Sequence, residues 1–399
     1  MNDQLARTVG GRVRSHRIAA RQTKTVVAGL AGITPDYLYQ IERGQKLPAI
    51  PVLAQLAQVL RVELADLLGT VPTARRPRLT DVTADAIYRA MTTPVLPTAE
   101  LTSPTSLHRE VRAAWQTWQA SPHRYSELTT DLPELIAATE AAVRQTNGSL
   151  QRQAHAIAAD LYGLLRTVTK RIGRIDLSLL AADRAMRAAE LADDPVRLAG
   201  ASWNLTQVLL ADGQAEGAET VAMQAFDRLR EPARHNDPDA IALSGALLLI
   251  AGVAAVRGGN VWIGRDRLHE AAPFADRTGE RNTCWTAFGP TNVAMYAVSI
   301  EVESGEAVEG LRLAEQIDRD RSPSIERRVA FLLDQAKGYG QRRDFARALN
   351  VLRIATYEAP EDIRFRPAAH TLLRTVAERG RRSVAIGASQ LATSIGLPL

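Results

Sequence analysis

The chain has 399 residues, 46% hydrophobic and 23% charged, which suits two or three domains with buried cores. Its single cysteine, Cys284, excludes an internal disulfide and is typical of a reducing compartment. The first residues lack the apolar core of a signal sequence, and no run approaches 18 apolar residues. We therefore expect a cytoplasmic protein with no membrane contact.

The positive charge is concentrated at the N-terminal end. Residues 1–80 contain 12 Lys and Arg against 5 Asp and Glu, whereas the remaining residues contain 37 against 39. The net charges are +7 and −2. A basic end is expected where a protein contacts phosphate, although a merely basic surface has the same composition.

The spacing of apolar residues predicts an all-α fold. Short helices are expected over 4–68, followed by the Pro- and Arg-rich segment GTVPTARRPRLT (69–80). A short helix over 81–92 precedes a second break at 94–104. From about residue 106 onward, Val and Ile recur at helical spacing and do not alternate as in a strand.

The segment TKTVVAGLAGITPDYLYQIERGQKLP (23–48) predicts two helices joined by a tight turn. Thr23 is an N-cap candidate for the first helix, which runs to about residue 31 with Val27 and Leu30 facing inward. Gly32 permits the turn, and Ile33 fills the core beneath it.

The second of these helices begins with a cap and a proline. Thr34 caps it, and Pro35 occupies the first position, where a missing N–H costs nothing. Leu38 and Ile41 bury one face, and Gly44 ends the helix. A helix with polar residues at its front, presented after a short turn, can enter a major groove.

This segment resembles the Cro/repressor-type (XRE) helix-turn-helix family over about residues 5–68, with flanking helices at 4–21, 50–60 and 62–68. The matching residues are Leu30, Ala31, Gly32, Ile33, Thr34, Tyr37, Leu38, Ile41, Glu42, Arg43, Gly44 and Pro48. The resemblance implies a five-helix head that binds a double-stranded DNA operator. Heads of this type pair on near-palindromic sites, so we expect a homodimer.

In that family the start of the second helix of the motif reads bases. By position, the residues implied here are Thr34, Asp36, Tyr37, Tyr39 and Gln40. Gln40 can pair with adenine, the tyrosine rings can contact thymine methyls, and Asp36 either accepts from cytosine or caps the helix. The candidates for phosphate contact are Arg14, Arg17, Arg21, Lys24, Arg43 and Lys46.

The region after residue 150 contains a repeat. Candidate turns recur at intervals of roughly 36 to 47 residues, which indicates a solenoid of helical hairpins. They lie at Gly173, Gly213, Gly258-Gly259, Gly305, Arg343-Asp344 and Gly380. The region loosely resembles tetratricopeptide repeats, and the best-matching residues are Ala336, Tyr339, Phe345, Ala348, Ala355 and Pro360.

The segments 115–135, 288–306 and 389–399 resemble those of actinobacterial transcription regulators that join this head to a tetratricopeptide-like domain. The layout is also similar to that of peptide-sensing quorum regulators. The resemblance implies a helix-turn-helix domain over 1–69, a linker with a short helix over 70–105, and a tetratricopeptide-like α-solenoid for sensing and dimerisation over 106–399.

In tetratricopeptide hairpins the first helix of each pair lines the concave face. The ligand-binding candidates that follow are Trp203, Asn204, Gln207, Trp285, Asn292, Tyr296, Ser299, Asp334 and Lys337. Amide and aromatic side chains of this kind suit a peptide or an amphiphilic small-molecule effector. The competing interpretation places Trp203 and Trp285 in the solenoid core and makes Asn292 a helix cap.

We expect no enzyme, cofactor or metal site. The sequence has no Walker loop, dinucleotide fingerprint or nucleophile elbow, and His269-Glu270 lacks the second histidine of a zincin helix. Two alternatives to an effector-controlled regulator stay open. The solenoid could dock a protein partner at DNA, or a constitutive dimer could repress without any ligand.

Overall fold

The computed structural model describes residues 2–20, 22–60, 62, 64–68, 79–93 and 102–397. Every regular element in these ranges is a helix, which confirms the all-α prediction. The chain divides into two compact units, residues 1–78 and 79–399.

The described residues of the first unit form five helices around one apolar core. They are α1 (Asn2–Ala19), α2 (Lys24–Leu30), α3 (Pro35–Glu42), α4 (Ile50–Leu60) and α5 (Leu64–Leu68). Val13, Val27, Leu38, Ile41 and Leu56 are buried together. The core therefore packs the predicted inner faces of α2 and α3 against the flanking helices.

One inward-facing assignment in this unit is wrong. Leu30 is 65% exposed, whereas Val27, Ala28 and Ala31 are buried. Successive residues of an α-helix turn by about 100°, so Leu30 lies well outside the face that those three residues bury.

The second unit contains the remaining helices. They are α6 (Leu79–Thr92), α7 (Pro104–Ala120), α8 (Arg124–Thr129), α9 (Leu132–Gln145), α10 (Gly148–Arg171), α11 (Ile175–Leu191), α12 (Pro195–Ala211), α13 (Ala215–Arg228), α14 (Arg230–Arg234), α15 (Pro238–Arg257), α16 (Val261–Thr278), α17 (Pro290–Glu303), α18 (Ala307–Ala314), α19 (Ile325–Gln341), α20 (Phe345–Glu358), α21 (Pro360–Phe365), α22 (Pro367–Arg379) and α23 (Arg382–Ser394).

Within the described ranges, six pairs of these helices pack as hairpins: α10 with α11, α12 with α13, α15 with α16, α17 with α18, α19 with α20, and α22 with α23. The turns lie at the predicted positions. Gly173, Gly213, Gly259 and Gly305 have φ between 78° and 92°, and Arg343 has φ 59°. These turns reverse the chain within two or three residues, and buried alanines allow close approach of the paired helices.

Helix α6 corresponds to the short helix predicted over 81–92, but it packs as part of the second unit and not within a separate linker. Ile87 and Met91 are buried in the same core cluster as Trp118. Arg184 of α11 also donates a hydrogen bond to the Met91 carbonyl oxygen (2.9 Å). The amphipathic face of α6 explains the difference, because a helix that buries two large apolar side chains packs with the core that covers them.

The expectation that no run approaches 18 apolar residues is wrong for helix α15. Residues 240–256 carry no charge, and among the described helices this one is long and apolar enough to cross a membrane. In the structure, 94% of its 18-residue apolar window is buried by the other helices. Its composition is therefore accounted for by a central position in the core.

Helices α7 and α8 contact elements far along the sequence. Trp118 Nε1 donates to Glu326 Oε2 of α19 at 2.7 Å, and the Tyr125 hydroxyl donates to Asp362 Oδ1 of α21 at 2.8 Å. Arg124 forms a fully buried ion pair with the same Asp362 (2.7 Å). These contacts connect the beginning of the second unit to its later hairpins.

Candidate functional site

Helices α2 and α3 begin with the predicted N-caps, and the turn between them contains the predicted glycine. Thr23 Oγ1 accepts from the Val26 backbone N–H (3.3 Å), and Thr34 Oγ1 accepts from the Tyr37 N–H (3.2 Å). Gly32 has φ 65°, a conformation that glycine adopts without steric penalty. The sequence therefore encodes the geometry of this turn locally.

Helix α3 is held against α1 by an ion pair with little exposure to solvent. Arg17 Nε lies 2.6 Å from Glu42 Oε1, and its Nη2 lies 3.1 Å from Oε2. Arg17 also donates to the Gln22 carbonyl oxygen (3.0 Å). The two side chains are 11% and 3% exposed. Glu42 thus neutralises Arg17, which joins α1 to α3; this differs from the predicted phosphate contact.

The remaining surface of α3 presents polar and aromatic groups. Thr34 and Asp36 are exposed, Tyr39 is 39% exposed, and Tyr37 and Gln40 are half-buried. All five predicted base-reading residues therefore lie on this helix or at its cap, around the accessible side.

Cations surround the two tyrosine rings. Lys24 Nζ lies 4.5 Å and the Arg43 guanidinium 5.5 Å from the centre of the Tyr39 ring, and Lys46 Nζ lies 5.9 Å from that of Tyr37. These three phosphate candidates thus flank α3 directly. Arg14 is exposed on α1, whereas Arg21 lies outside the described residues.

The second unit contains a cavity of about 260 Å³. Its walls come from the first helices of successive hairpins (α10, α12, α15, α17 and α19), with α7 and the segment 285–287 completing it. Six of the nine predicted ligand residues line it: Trp203, Gln207, Trp285, Tyr296, Ser299 and Asp334. The assignment of first helices to the inner side accounts for five of these residues, and Trp285 lies in the segment before α17.

The other three candidates do not line this cavity. Asn204 is 7% exposed and accepts a hydrogen bond from Arg166. Asn292 is 3% exposed and donates to the Thr286 carbonyl oxygen (3.3 Å). Lys337 Nζ lies 3.5 Å from Glu303 Oε1. These side chains support lining residues, and Asn292 is inside α17, whose N-cap is Gly289.

Sequence reasoning missed the charged residues of the cavity. It is lined by Arg166, Lys170, Arg171, Arg257, Glu303, Glu326, Arg327, Asp334 and Arg366. Only Asp334 was among the candidates. Arg166 could have been noticed, because it interrupts the apolar face of α10, where residues 161–169 are all buried. A charge within a buried stretch is a recognised sign of a functional position.

Burial changes the protonation equilibria of these groups. Burial lowers the pKa of Lys170 well below its ordinary value, and the positive charges of Arg171 and Arg166 lower it further. Burial likewise lowers the pKa of Arg166 to about 9. For Glu326, burial opposes ionisation, but Arg171 and Arg124 outweigh it and hold the pKa below its usual range.

The segment 282–287, of which residues 285–287 line this cavity, is conformationally constrained. Trp285 stacks on Trp115 with ring centres 5.2 Å apart and planes 8° from parallel, and Gln119 Nε2 donates to the Trp285 carbonyl oxygen (2.9 Å). Cys284, Trp285 and Ala287 have φ values of 46°, 62° and 51°. Such conformations cost about 1–3 kcal/mol each in non-glycine residues, so surrounding contacts must hold this segment.

A second cavity, of about 710 Å³, shares Trp115 and Trp285 with the first. Four aspartates line it: Asp160, Asp194, Asp237 and Asp239. Burial raises the pKa of Asp160, although Arg197 acts against it. In the described part of the chain, no group of three or more His, Cys, Asp or Glu is placed to hold a metal ion.

Residues 8–69 match the family described as "Helix-turn-helix domain". No curated protein matches the chain.

Solved structures with similarity include Bacillus thuringiensis PlcR in complex with the peptide PapR7 and DNA, at 14% identity and a TM-score of 0.29 over 68% of this chain and 95% of that one. Apo ComR from Streptococcus vestibularis has 15% identity and a TM-score of 0.28, over 68% and 93%. A Rap protein complexed with Competence and Sporulation Factor has 11% identity and a TM-score of 0.44, over 96% and 99%.

Because these TM-scores are below 0.5, the similarities carry no functional inference for this chain. The match to the helix-turn-helix family agrees with the observed geometry of α2, α3 and the turn between them. This protein therefore has an N-terminal helix-turn-helix domain, followed by an all-helical domain built of hairpins.

Proposed function

We propose that this protein is a sequence-specific DNA-binding transcription regulator, that it acts as a homodimer, and that its helical domain binds an effector that modulates DNA binding. The observation that carries the proposal is the exposed front of α3. Thr34, Asp36 and Tyr39 are accessible there, and Lys24 and Arg43 flank the Tyr39 ring.

The dimensions of α3 support insertion into a major groove. A groove about 12 Å wide admits one α-helix, and polar side chains at the front of that helix reach base edges. Phosphates then lie on either side, where Lys24, Arg43 and Lys46 provide compensating charge. Buried contacts from α1 hold the helix in position, as pre-organised recognition requires.

The cavity in the second unit supports an effector-binding role for the helical domain. It combines aromatic and charged groups, including Trp203 and Arg166, as ligand sites commonly do. This combination favours a peptide or small molecule over a docked protein scaffold. To regulate DNA binding, the effector must stabilise one placement of the two heads relative to another. Such a regulator has no catalytic role and works at the nucleoid in the cytoplasm.

The test is selection of duplexes by the purified full-length protein, followed by fluorescence anisotropy with the selected and a scrambled duplex. We expect preferential binding of the selected duplex, a steep loss of affinity with salt, and light scattering that reports two chains per duplex. Equal affinity for both duplexes would contradict sequence-specific binding, and one chain per duplex would contradict the homodimer.

A further inference from the structure

Two cations in the 260 Å³ cavity have amide oxygens, not carboxylates, as hydrogen-bond partners. Arg166 and Lys170 lie one turn apart on α10. Arg166 donates to Asn204 Oδ1, and Lys170 Nζ donates to Gln207 Oε1 at 2.7 Å. Asn204 and Gln207 are likewise one turn apart on α12. Among the described residues, neither cation forms an ion pair, and each has a side-chain amide as its hydrogen-bond partner.

Three other cations that line the cavity have carboxylate partners. Arg171 Nε lies 2.6 Å from Glu326 Oε1, Arg257 Nη2 lies 3.1 Å from Glu303 Oε1, and Arg366 Nη2 lies 2.5 Å from Asp362 Oδ2. Among the described ion pairs, the cavity cations left without one are Arg166 and Lys170 on α10 and Arg327 on α19.

Some buried hydrogen-bond donors in the cavity wall also have no partner. Arg166 Nε is buried without a hydrogen-bond partner, and so are Nε and Nη2 of Arg327. A buried donor without a partner is unfavourable, and a buried charge without a counter-charge is more so. An anion placed here would satisfy both deficits.

Aromatic rings lie beside these cations. The Arg166 guanidinium is 5.6 Å from the Trp203 ring centre, and the Arg327 guanidinium is 4.4 Å from that of Tyr296. Both rings line the cavity. Flat apolar groups could therefore pack next to an anion that is bound by the cations.

We propose that Arg166 and Lys170 bind an anionic group of the effector, a carboxylate or a phosphate, while Trp203 and Tyr296 contact an apolar part of the same molecule. The inference rests on the proposed function, since it takes this cavity to be the effector site. A volume of about 260 Å³ is near the lower limit of ligand pockets, about 300 Å³. The group that enters is therefore a small acid or the carboxylate end of a peptide.

The test measures the melting temperature and tryptophan fluorescence of the full chain with defined probes. Phenylacetate represents a small acid, N-acetylphenylalanine a peptide terminus, and phenyl phosphate a phosphate ester. The neutral controls are phenylacetamide and N-acetylphenylalaninamide, with chloride at matched ionic strength. We expect at least one anion to raise the melting temperature and alter fluorescence, while its neutral counterpart does neither. Which anion acts identifies the source of the charge.

Two variants test the same site, so that one still gives a result if the other folds poorly. Lys170→Met removes a desolvated charge, and Gln207→Glu places a carboxylate beside Lys170. In both we expect a higher melting temperature without ligand and affinity for the anion reduced about tenfold or more, the loss expected for one charge-assisted hydrogen bond. The matched control, Gln224→Glu, adds the same charge on an exposed position of α13 and should leave anion binding unchanged.

The proposal is overturned if no anion binds, if the neutral amides bind equally, or if both variants respond like the wild type. DNA retention by the wild type without any anion is measured in parallel. Retention of DNA with no anion response contradicts the anion site alone, whereas an anion response without DNA retention contradicts the proposed regulator.

Discussion

At the scale of single residues, Gly10 and Arg17 of α1 determine how closely α3 is held. A Cβ atom at Gly10 would overlap the Ile41 carbonyl oxygen and approach the Gly44 nitrogen within 3.1 Å. Arg17 reaches the end of the same helix through Glu42. Both residues therefore stabilise the orientation of α3 without contacting its outward face.

The close approach at Gly10 predicts opposite effects for two neighbouring substitutions. Gly10→Ala should destabilise the first unit by about 1–3 kcal/mol, because backbone atoms of α3 must move. Gly11→Ala has open space around the added methyl and should stabilise the helix by about 0.5–1 kcal/mol. Urea denaturation followed by circular dichroism checks both, and equal effects would contradict the packing described here.

The surface of α3 predicts a separation between specificity and affinity. Gln40→Ala should cost about 1–3 kcal/mol on the selected duplex and little on a scrambled one. Arg43→Ala should weaken binding to both and flatten the salt dependence. Anisotropy titrations on the two duplexes measure this. If Gln40→Ala affects both duplexes equally, this residue does not read bases.

At the scale of elements, a buried charge cluster joins α8 to α21. Asp362 accepts from the Tyr125 hydroxyl and pairs with Arg124 and Arg366. Arg124 and Asp362 have no exposed side-chain surface. Buried ion pairs contribute little to stability relative to apolar packing. Removing one partner, however, leaves the other charges buried without a counter-charge in a low-dielectric environment.

Asp362→Asn should therefore destabilise the second unit by about 3–5 kcal/mol, because Arg124 would lose its buried counter-charge. Its control is Asp183→Asn, which removes an exposed pair with Arg187 and should cost about 0–1 kcal/mol. Urea denaturation of the full chain, monitored by tryptophan fluorescence, reports the difference. Similar losses in the two variants would contradict the account of this cluster.

The same cluster predicts a defined pH dependence. Burial would raise the pKa of Asp362, but Arg124 and Arg366 outweigh burial and hold it at about 2, below the ordinary 3.8. A carboxylate whose pKa is lowered by folding stabilises the fold above its unfolded pKa, and this contribution is lost as pH falls. The wild type should thus lose stability between about pH 4 and pH 2 relative to Asp362→Asn. Denaturation curves at several pH values check this, and a constant difference would contradict it.

The structural features that the sequence predicted correctly are those set by residues close together along the chain. The caps at Thr23 and Thr34 and the turns at Gly32 and Gly213 are local features, and all four are observed. Features that depend on tertiary partners were missed. The pairing of Arg17 with Glu42 requires two residues 25 positions apart to meet, and periodicity does not report such contacts.

The candidate cavity shows the same limit. Assigning first helices to the inner side placed Trp203 and Tyr296 correctly. Arg166 and Lys170 were not identified, because the sequence does not show that their partners are amides of α12 once α10 and α12 have packed. Helix α6 was assigned to a linker for a related reason, since the surface that buries Ile87 and Met91 belongs to helices later in the sequence.

At the scale of the whole molecule, recognition of DNA and of the effector are assigned to separate compact units, 1–78 and 79–399. Coupling between them then requires that the effector bind more tightly to one arrangement of the heads. A tenfold change in operator affinity corresponds to about 1.4 kcal/mol of coupling. We expect a cognate effector to change operator affinity by at least this factor, as measured by anisotropy with and without it. Thermal stabilisation without any change in affinity would contradict coupling.

The account depends most on α3 lying in the major groove. Photo-cross-linking tests this directly, with benzoylphenylalanine at position 39 on α3 or, as a control, at exposed position 58 on α4. The predicted result is cross-linking from position 39 to particular bases of the selected duplex, and none from position 58. A protein that stays bound to the duplex but forms no base cross-link from position 39 would contradict the account.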